Sequence, residues 1–153
     1  MLQNVQGSTA LNLDAKGRLA IPARHRDSAG DGRVVITAHP HGCLVIYSVP
    51  EWEPIRDQIL RAPSLDSRSA SLKRLFIGYA QEETLDSVGR VLIAPSQRQF
   101  AKLEKKVWLI GQVTHFELWS DAGWEQQLKA MEKLARPEEE GGGVPPGFEN
   151  LVL

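Results

Sequence analysis

With 153 residues, 42% hydrophobic and 24% charged, the chain suits one folded domain or two small halves sharing a core. No apolar run approaches the ~18 residues of a membrane span, and Met1-Leu2-Gln3-Asn4-Val5 has neither the basic start nor the apolar stretch of a signal peptide. A lone cysteine, Cys43, excludes an internal disulfide framework and fits a reducing, cytoplasmic setting, while the net charge of -1 by itself points to no polyanionic partner.

Taken in chain order, Ala10, Leu11 and Leu13 read as a strand leading into Asp14-Ala15-Lys16-Gly17. In that turn Asp bonds its own backbone and Gly supplies a positive φ. Arg18 to Ile21 follows as a short strand, and Pro22 stands where a helix takes its first residue. Val34–Thr37 and Leu44–Tyr47 are β-branched runs flanking a turn with Pro40 and Gly42, and Cys43 sits beside them as a small buried hydrophobe. Ser48-Val49-Pro50-Glu51 reads as a capping box, followed by Trp52, Ile55 and Ile59 at helical spacing. Leu72, Leu75, Phe76 and Tyr79 mark a linking helix ending near Gly78. Val107–Ile110 and Phe116–Trp119 are further strands, and Trp124, Leu128, Met131 and Ala135 form a closing helical stripe. Gly141 to Gly147 reads as a flexible tail and not a phosphate loop, because no strand precedes it and no helix follows.

The chain repeats itself. Leu13-Asp14-Ala15-Lys16-Gly17-Arg18-Leu19-Ala20-Ile21-Pro22 returns as Leu85-Asp86-Ser87-Val88-Gly89-Arg90-Val91-Leu92-Ile93-Ala94-Pro95, with the aspartates 72 positions apart and one more residue before the second proline. Tyr47-Ser48 and Trp52-Glu53 return as Trp119-Ser120 and Trp124-Glu125 at the same offset of 72. Two separated blocks sharing one shift identify a tandem duplication. The expected organisation is a first repeat over 8–55, a linking helical segment over 56–83, a second repeat over 84–127, the end of a C-terminal helix over 128–136 and a tail over 137–153. Half a chain of this size buries too little surface to stand alone, so the copies are expected to pair as a pseudo-two-fold β core with flanking helices, an α+β fold that is mainly β.

Charge is unevenly placed. Residues 137–153 hold Glu138, Glu139, Glu140 and Glu149 and no Lys or Arg. Setting those four aside reduces the 19 acidic residues to 15 against 18 basic ones, a net of about +3 for the remainder.

The two blocks resemble the MraZ family, whose members carry two AbrB/SpoVT swapped-hairpin units. The resemblance rests on Asp14, Gly17, Arg18 and Pro22, on Asp86, Gly89, Arg90 and Pro95, on Pro50-Glu51-Trp52-Glu53 and Phe116-Glu117-Leu118-Trp119, and on the segment from Arg74 to Ala80. It runs from about Gly7 to about Leu134. Val5 departs from it, standing where family members often have an aromatic residue. The resemblance implies a double swapped-hairpin barrel of the AbrB type and assembly into homo-oligomeric rings. It also implies binding to short direct repeats in double-stranded promoter DNA of the protein's own cell-division and cell-wall gene cluster, at the nucleoid.

The Asp-x-x-Gly-Arg turns admit a structural reading, with Asp14 accepting turn hydrogen bonds and pairing with Arg18, worth only ~0–1 kcal/mol if exposed. The functional reading turns Lys16 and Arg18 toward DNA, with Arg90 as the counterpart of Arg18 and Val88 in the place of Lys16. On that reading the first copy contributes more. Arg24, His25 and Arg26 begin the short helix, with Arg24 as a phosphate-positioning group and Arg98 as its weaker counterpart. Arg68, Lys73 and Arg74 read as a solvated face of the linking helix. The DNA-binding set is therefore Lys16, Arg18, Arg24, Arg90 and Arg98, on turns formed by Asp14, Gly17, Asp86 and Gly89.

An enzyme is the rival class. His39-Pro40-His41 resembles a metal pair but has no completing cluster, and no nucleophile elbow, Walker loop or dinucleotide fingerprint occurs. Glu51, Glu53, Glu82 and Glu83 read as helix-end or surface charges, and Trp52 and Trp124, at equivalent positions, as core. No catalytic residue, metal, cofactor, membrane or small-molecule substrate is expected. The other rival is a ring-forming structural or antitoxin-like interaction module.

Overall fold

Eight strands and five helices follow from two readings of the same plan in a computed structural model that describes residues 4–63 and 65–152. The first copy supplies β1 (Val5–Asn12), β2 (Arg18–Ala20), α1 (Ala23–Arg26) with a 3-10 turn (Asp27–Ala29), β3 (Arg33–Ala38), β4 (Leu44–Ser48) and α2 (Val49–Arg61). After α3 (Ser67–Phe76), the second copy supplies β5 (Gln81–Thr84), β6 (Arg90–Leu92), α4 (Pro95–Phe100), β7 (Lys106–Val113), β8 (Phe116–Ser120) and α5 (Asp121–Lys133). The described chain divides into two units, one ending at Asp121 and one beginning at Ala122.

In the first unit β1, β7, β8, β4, β3 and β5 lie in that order in a six-stranded antiparallel sheet, while β2 and β6 form a separate two-stranded ribbon. Among the described residues only β3–β4 and β7–β8 are pairings within a copy. The pairings β1–β7, β2–β6, β3–β5 and β4–β8 all join one copy to the other. Neither copy has a complete sheet of its own. The registers reveal the symmetry, since Leu19 faces Val91 in the ribbon and Val45 faces Glu117 in the sheet, each pair separated by the repeat offset of 72. A pseudo-two-fold axis therefore passes through both contacts.

The core is the apolar set that alternation points inward: Leu19, Ile36, Ile46, Val91, Phe116 and Leu118 are all 2% exposed or less. Fully burying such a side chain is worth roughly 1.5–3 kcal/mol. Within the first unit α2 packs against β3 and β4, and α3 and α4 pack against β3. Ser48 Oγ accepts the Glu51 amide at 3.4 Å to begin α2, whose Trp52 is buried and whose Ile55 and Ile59 are half-buried. Asp66 Oδ1 accepts the Arg68 amide at 2.8 Å to begin α3. Cys43 is fully buried, and burial pushes its thiol up to about 12, so it is inert packing.

Several expectations are corrected. Pro22 is the N-cap of α1 and not its first residue, and its equivalent at the repeat offset is Ala94, the N-cap of α4. The second block has no extra residue there; its proline has moved one position into the helix. β1 starts at Val5, well before Ala10, because it pairs along its full length with the long β7. In the second unit α5 buries Trp124, but Leu128 and Met131 are more than 40% exposed and Ala135 lies beyond its end. Residues 137–152 form turns without a helix or strand. No helix among the described residues is long and apolar enough to cross a membrane.

Candidate nucleic-acid interface

Each Asp-x-x-Gly-Arg segment closes on its aspartate. Asp14 Oδ1 accepts the amides of Lys16 at 2.9 Å and Arg18 at 2.8 Å, and Oδ2 accepts Arg18 Nε at 2.7 Å. Asp86 does the same with Val88 at 3.1 Å, Arg90 at 2.8 Å and Arg90 Nε at 2.8 Å. The glycines make the turn possible, since Gly17 and Gly89 both stand at φ 80°, where a side chain is strained. The Arg18 amide above all, with help from its guanidinium and the Lys16 amide, holds the Asp14 carboxyl below the usual range against an opposing effect of desolvation. Asp86 is lowered in the same way by Arg90 and Val88. Both aspartates therefore stay ionised and both arginines stay oriented.

The ribbon that follows sorts its residues by alternation. Leu19 and Val91 point into the core, and Arg18, Ala20, Arg90 and Leu92 lie on the outer face. Crossed backbone bonds fasten this face: the Ile21 amide donates to the Gly89 carbonyl at 2.9 Å, and the Ile93 amide to the Gly17 carbonyl at 3.0 Å. The result is a short two-stranded platform with one oriented guanidinium from each copy.

A second pair of arginines buttresses it. Arg26 Nε donates to the Ile21 carbonyl at 2.9 Å, and Arg98 Nε to the Ile93 carbonyl at 3.0 Å. Each guanidinium then covers the turn of the opposite copy. A Cβ on Gly17 would lie 2.7 Å from Arg98 Cζ, and one on Gly89 would lie 2.9 Å from Arg26 Cζ. Arg26 is the true counterpart of Arg98, at the offset of 72. This corrects the match of Arg98 with Arg24, which leaves Arg26 out. The repeat offset applied to Arg98 is the signal that finds it.

The remaining candidates fall as follows. Lys16 is exposed at the tip of the first turn, and Val88, half exposed, takes its place in the second. Arg24 is exposed but anchored, its Nη2 donating to Thr9 Oγ1 at 2.9 Å and its Nε to His25 Nε2 at 3.1 Å. A cavity of about 650 Å³ opens beside the first turn, with Asp14, Gly17, Arg98 and Lys105 on its wall. Away from the ribbon, His39 and His41 stack edge-on at 4.6 Å. Among the described residues no three of His, Cys, Asp or Glu are grouped so as to hold a metal ion.

Comparison with known proteins places these features in a wider set. The family described as "MraZ protein, putative antitoxin-like" matches residues 5–75 and again 76–141. A protein of Aromatoleum aromaticum named "Transcriptional regulator MraZ" is 60% identical over 150 residues, spanning 97% of this chain and 99% of that protein. One of the same name from Dechloromonas aromatica is 59% identical over 152 residues, with the same coverage. Another, from Shewanella oneidensis, is 44% identical over 138 residues, spanning 88% of this chain and 91% of that protein.

Proposed function

The chain belongs to the MraZ family, and from that membership and the outer face of the ribbon we propose that it is a sequence-specific DNA-binding transcription regulator and not an enzyme. The observation that carries the reading is the pair Arg18 and Arg90, each fixed by its own aspartate on one face of a two-stranded platform. A β-ribbon is narrow enough to enter a groove of duplex DNA, and an oriented guanidinium is the commonest side chain for reading a base edge. Lys16, Arg24 and Arg98 stand around the same face as phosphate contacts, which set register without reading sequence.

On this reading the sheet and ribbon together make the double swapped-hairpin barrel. The contact of β1 with β2 and of β5 with β6 supports it, as does the exchange of partners between copies. The repeat units span 8–55 and 84–127, joined by the segment 56–83, with the last helix ending at Lys133 inside 128–136 and 137–153 as a tail. The target is a set of short direct repeats upstream of the protein's own cell-division and cell-wall cluster, met in the cytoplasm at the nucleoid. A homo-oligomeric ring would let successive modules engage successive repeats and raise avidity without new contacts.

The test is fluorescence anisotropy with labelled DNA from upstream of its own gene cluster, against a shuffled duplex of equal composition, across a salt series. Tight binding to the native duplex that weakens steeply with salt is expected, and Arg18→Ala or Arg90→Ala reduces the preference for it. Equal and weak binding to both duplexes would sink the reading in favour of a structural or antitoxin-like interaction module.

A further inference from the structure

The two pairs of arginines at the ribbon differ in the charge they present. Arg18 lies 2.7 Å from Asp14 and Arg90 lies 2.8 Å from Asp86, so each turn carries a nearly neutral ion pair when seen from a few ångströms away. A phosphate approaching either pair meets an oriented donor but little net field. Arg26 and Arg98 differ. Among the described residues neither takes part in an ion pair. Their Nε atoms donate to neutral carbonyls, which leaves neither guanidinium tied to a carboxylate within 4 Å and the four N–H groups of the terminal nitrogens for other acceptors. Arg26 is exposed and Arg98 half-buried, and both guanidinium groups rest against the buried turn glycines next to Arg90 and Arg18.

We propose that Arg26 and Arg98 are the phosphate clamps of the interface, each anchored in its own copy and serving the turn of the other. The inference rests on the DNA-binding reading but divides its labour: Arg18 and Arg90 discriminate sequence, while Arg26 and Arg98 provide most of the sequence-independent attraction. Anchoring through Nε holds the rest of the guanidinium in one plane, the arrangement that grips a phosphate through two parallel N–H donors. The symmetry of the pair places one clamp beside each turn, so a duplex crossing the ribbon meets one on either strand. Lys16 and Arg24 add charge on the first copy alone and cannot serve both sides.

The experiment is the same salt series on native and shuffled duplexes with the full chain carrying Arg26→Ala and Arg98→Ala together. Each neutralised phosphate contributes about 0.9 to the slope of log K against log salt, so the double variant should lose roughly two units of slope. Its ratio of native to shuffled affinity should stay within about twofold of wild type. The Arg26→Lys and Arg98→Lys pair keeps the charge but not the Nε–carbonyl bond, so it should recover most of the slope, which a merely structural role would not allow. An unchanged slope in the alanine variant, a lysine variant whose slope stays as shallow as that of alanine, or a ratio that falls as it does for Arg18→Ala would each overturn the inference. If wild type binds both duplexes equally while its slope still drops with the alanine pair, the clamps stand and sequence-specific regulation falls.

Discussion

The two copies keep the same turn and surround it differently. Bond for bond, Asp14 and Asp86 close their loops alike, with Gly17 and Gly89 at the same φ and Arg98 and Arg26 laid across them. Beyond the turn the halves part. The first presents Lys16 and Arg24 where the second has Val88 and Ser96. Under the short helices the divergence is chemical: His25 and Gln97 occupy equivalent buried positions, but only Gln97 is tied at both ends. Its Oε1 accepts the Ala94 amide at 3.1 Å, and its Nε2 donates to the Ile36 and Tyr79 carbonyls at 2.8 Å each. His25 instead packs edge-on against Phe116 at 5.3 Å and accepts from Arg24. The geometry that orients an arginine is held constant, while charge and anchoring vary around it.

The largest difference between the halves is expected at Gln97. Gln97→Ala strips three backbone groups of a buried partner at a cost of ~1–3 kcal/mol for each one left without water, so chemical denaturation should show a loss of about 3 kcal/mol or more. His25→Ala, which removes packing but no comparable network, should lose less. A result with the two reversed would refute the contrast.

Next in size is the crossed coupling of the arginines. Arg18→Ala should weaken binding to native DNA by about 1–3 kcal/mol, the usual range for a bidentate base contact. Because Arg98 covers the turn that holds Arg18, a double-mutant cycle on Arg18 and Arg98 should show coupling of ~0.5 kcal/mol or more, while Arg18 with Arg26 should be nearly additive. Equal coupling in both cycles would mean that the arginines do not serve opposite turns.

A smaller change sharpens the charge contrast. Val88→Lys gives the second turn the tip residue of the first, and on the proposed interface it should steepen the salt slope by about 0.9 and tighten non-specific binding several-fold. No change would show that the tip of the second turn does not approach DNA.

The smallest effect is on the acid limb of stability. Burial first, and the charge of Arg24 second, hold the His25 imidazole below its ordinary value. The unfolded chain therefore binds the proton more readily, and the contribution of neutral His25 is complete above about pH 6.5 and fades as pH falls through the lowered folded value. His39 and His115 are lowered by burial in the same direction, so His25→Gln should make the acid limb shallower without abolishing it. Thermal melts from pH 7.5 to pH 5 would measure this, and an unaltered pH dependence would count against the buried neutral imidazole.

The turns and their strands are legible in the sequence because their rules are local: an Asx turn, a positive-φ glycine and a two-residue alternation recur within ten residues. The pairing of copies is legible only as a need to bury one half against the other. Which strands exchange is set by registers spanning up to about a hundred residues, and alternation within one strand carries no information on that partner. Arg26 is hidden because a basic cluster looks uniform in sequence; its role comes from the Ile21 carbonyl and from Gly89, more than sixty residues away. The closing helix misleads for a different reason. Leu128 and Met131 have the spacing of a buried stripe, but spacing names a face and not what covers it.

At the centre of the sheet, Val45 stands opposite Glu117, a pairing of unlike halves that two second halves could not reproduce without placing like charges face to face. Two detached second halves would bring Glu117 against its own image, and directly opposed like charges disfavour strand pairing. Two first halves would meet valine to valine without objection. Joined in one chain, every molecule receives the mixed pairing, in which the carboxylate has an apolar neighbour across the axis and the indole N–H of Trp119 donating to it at 3.1 Å. Covalent linkage thus does for these copies what a separate specificity code would have to do for independent subunits, and it frees each to diverge without losing its mate.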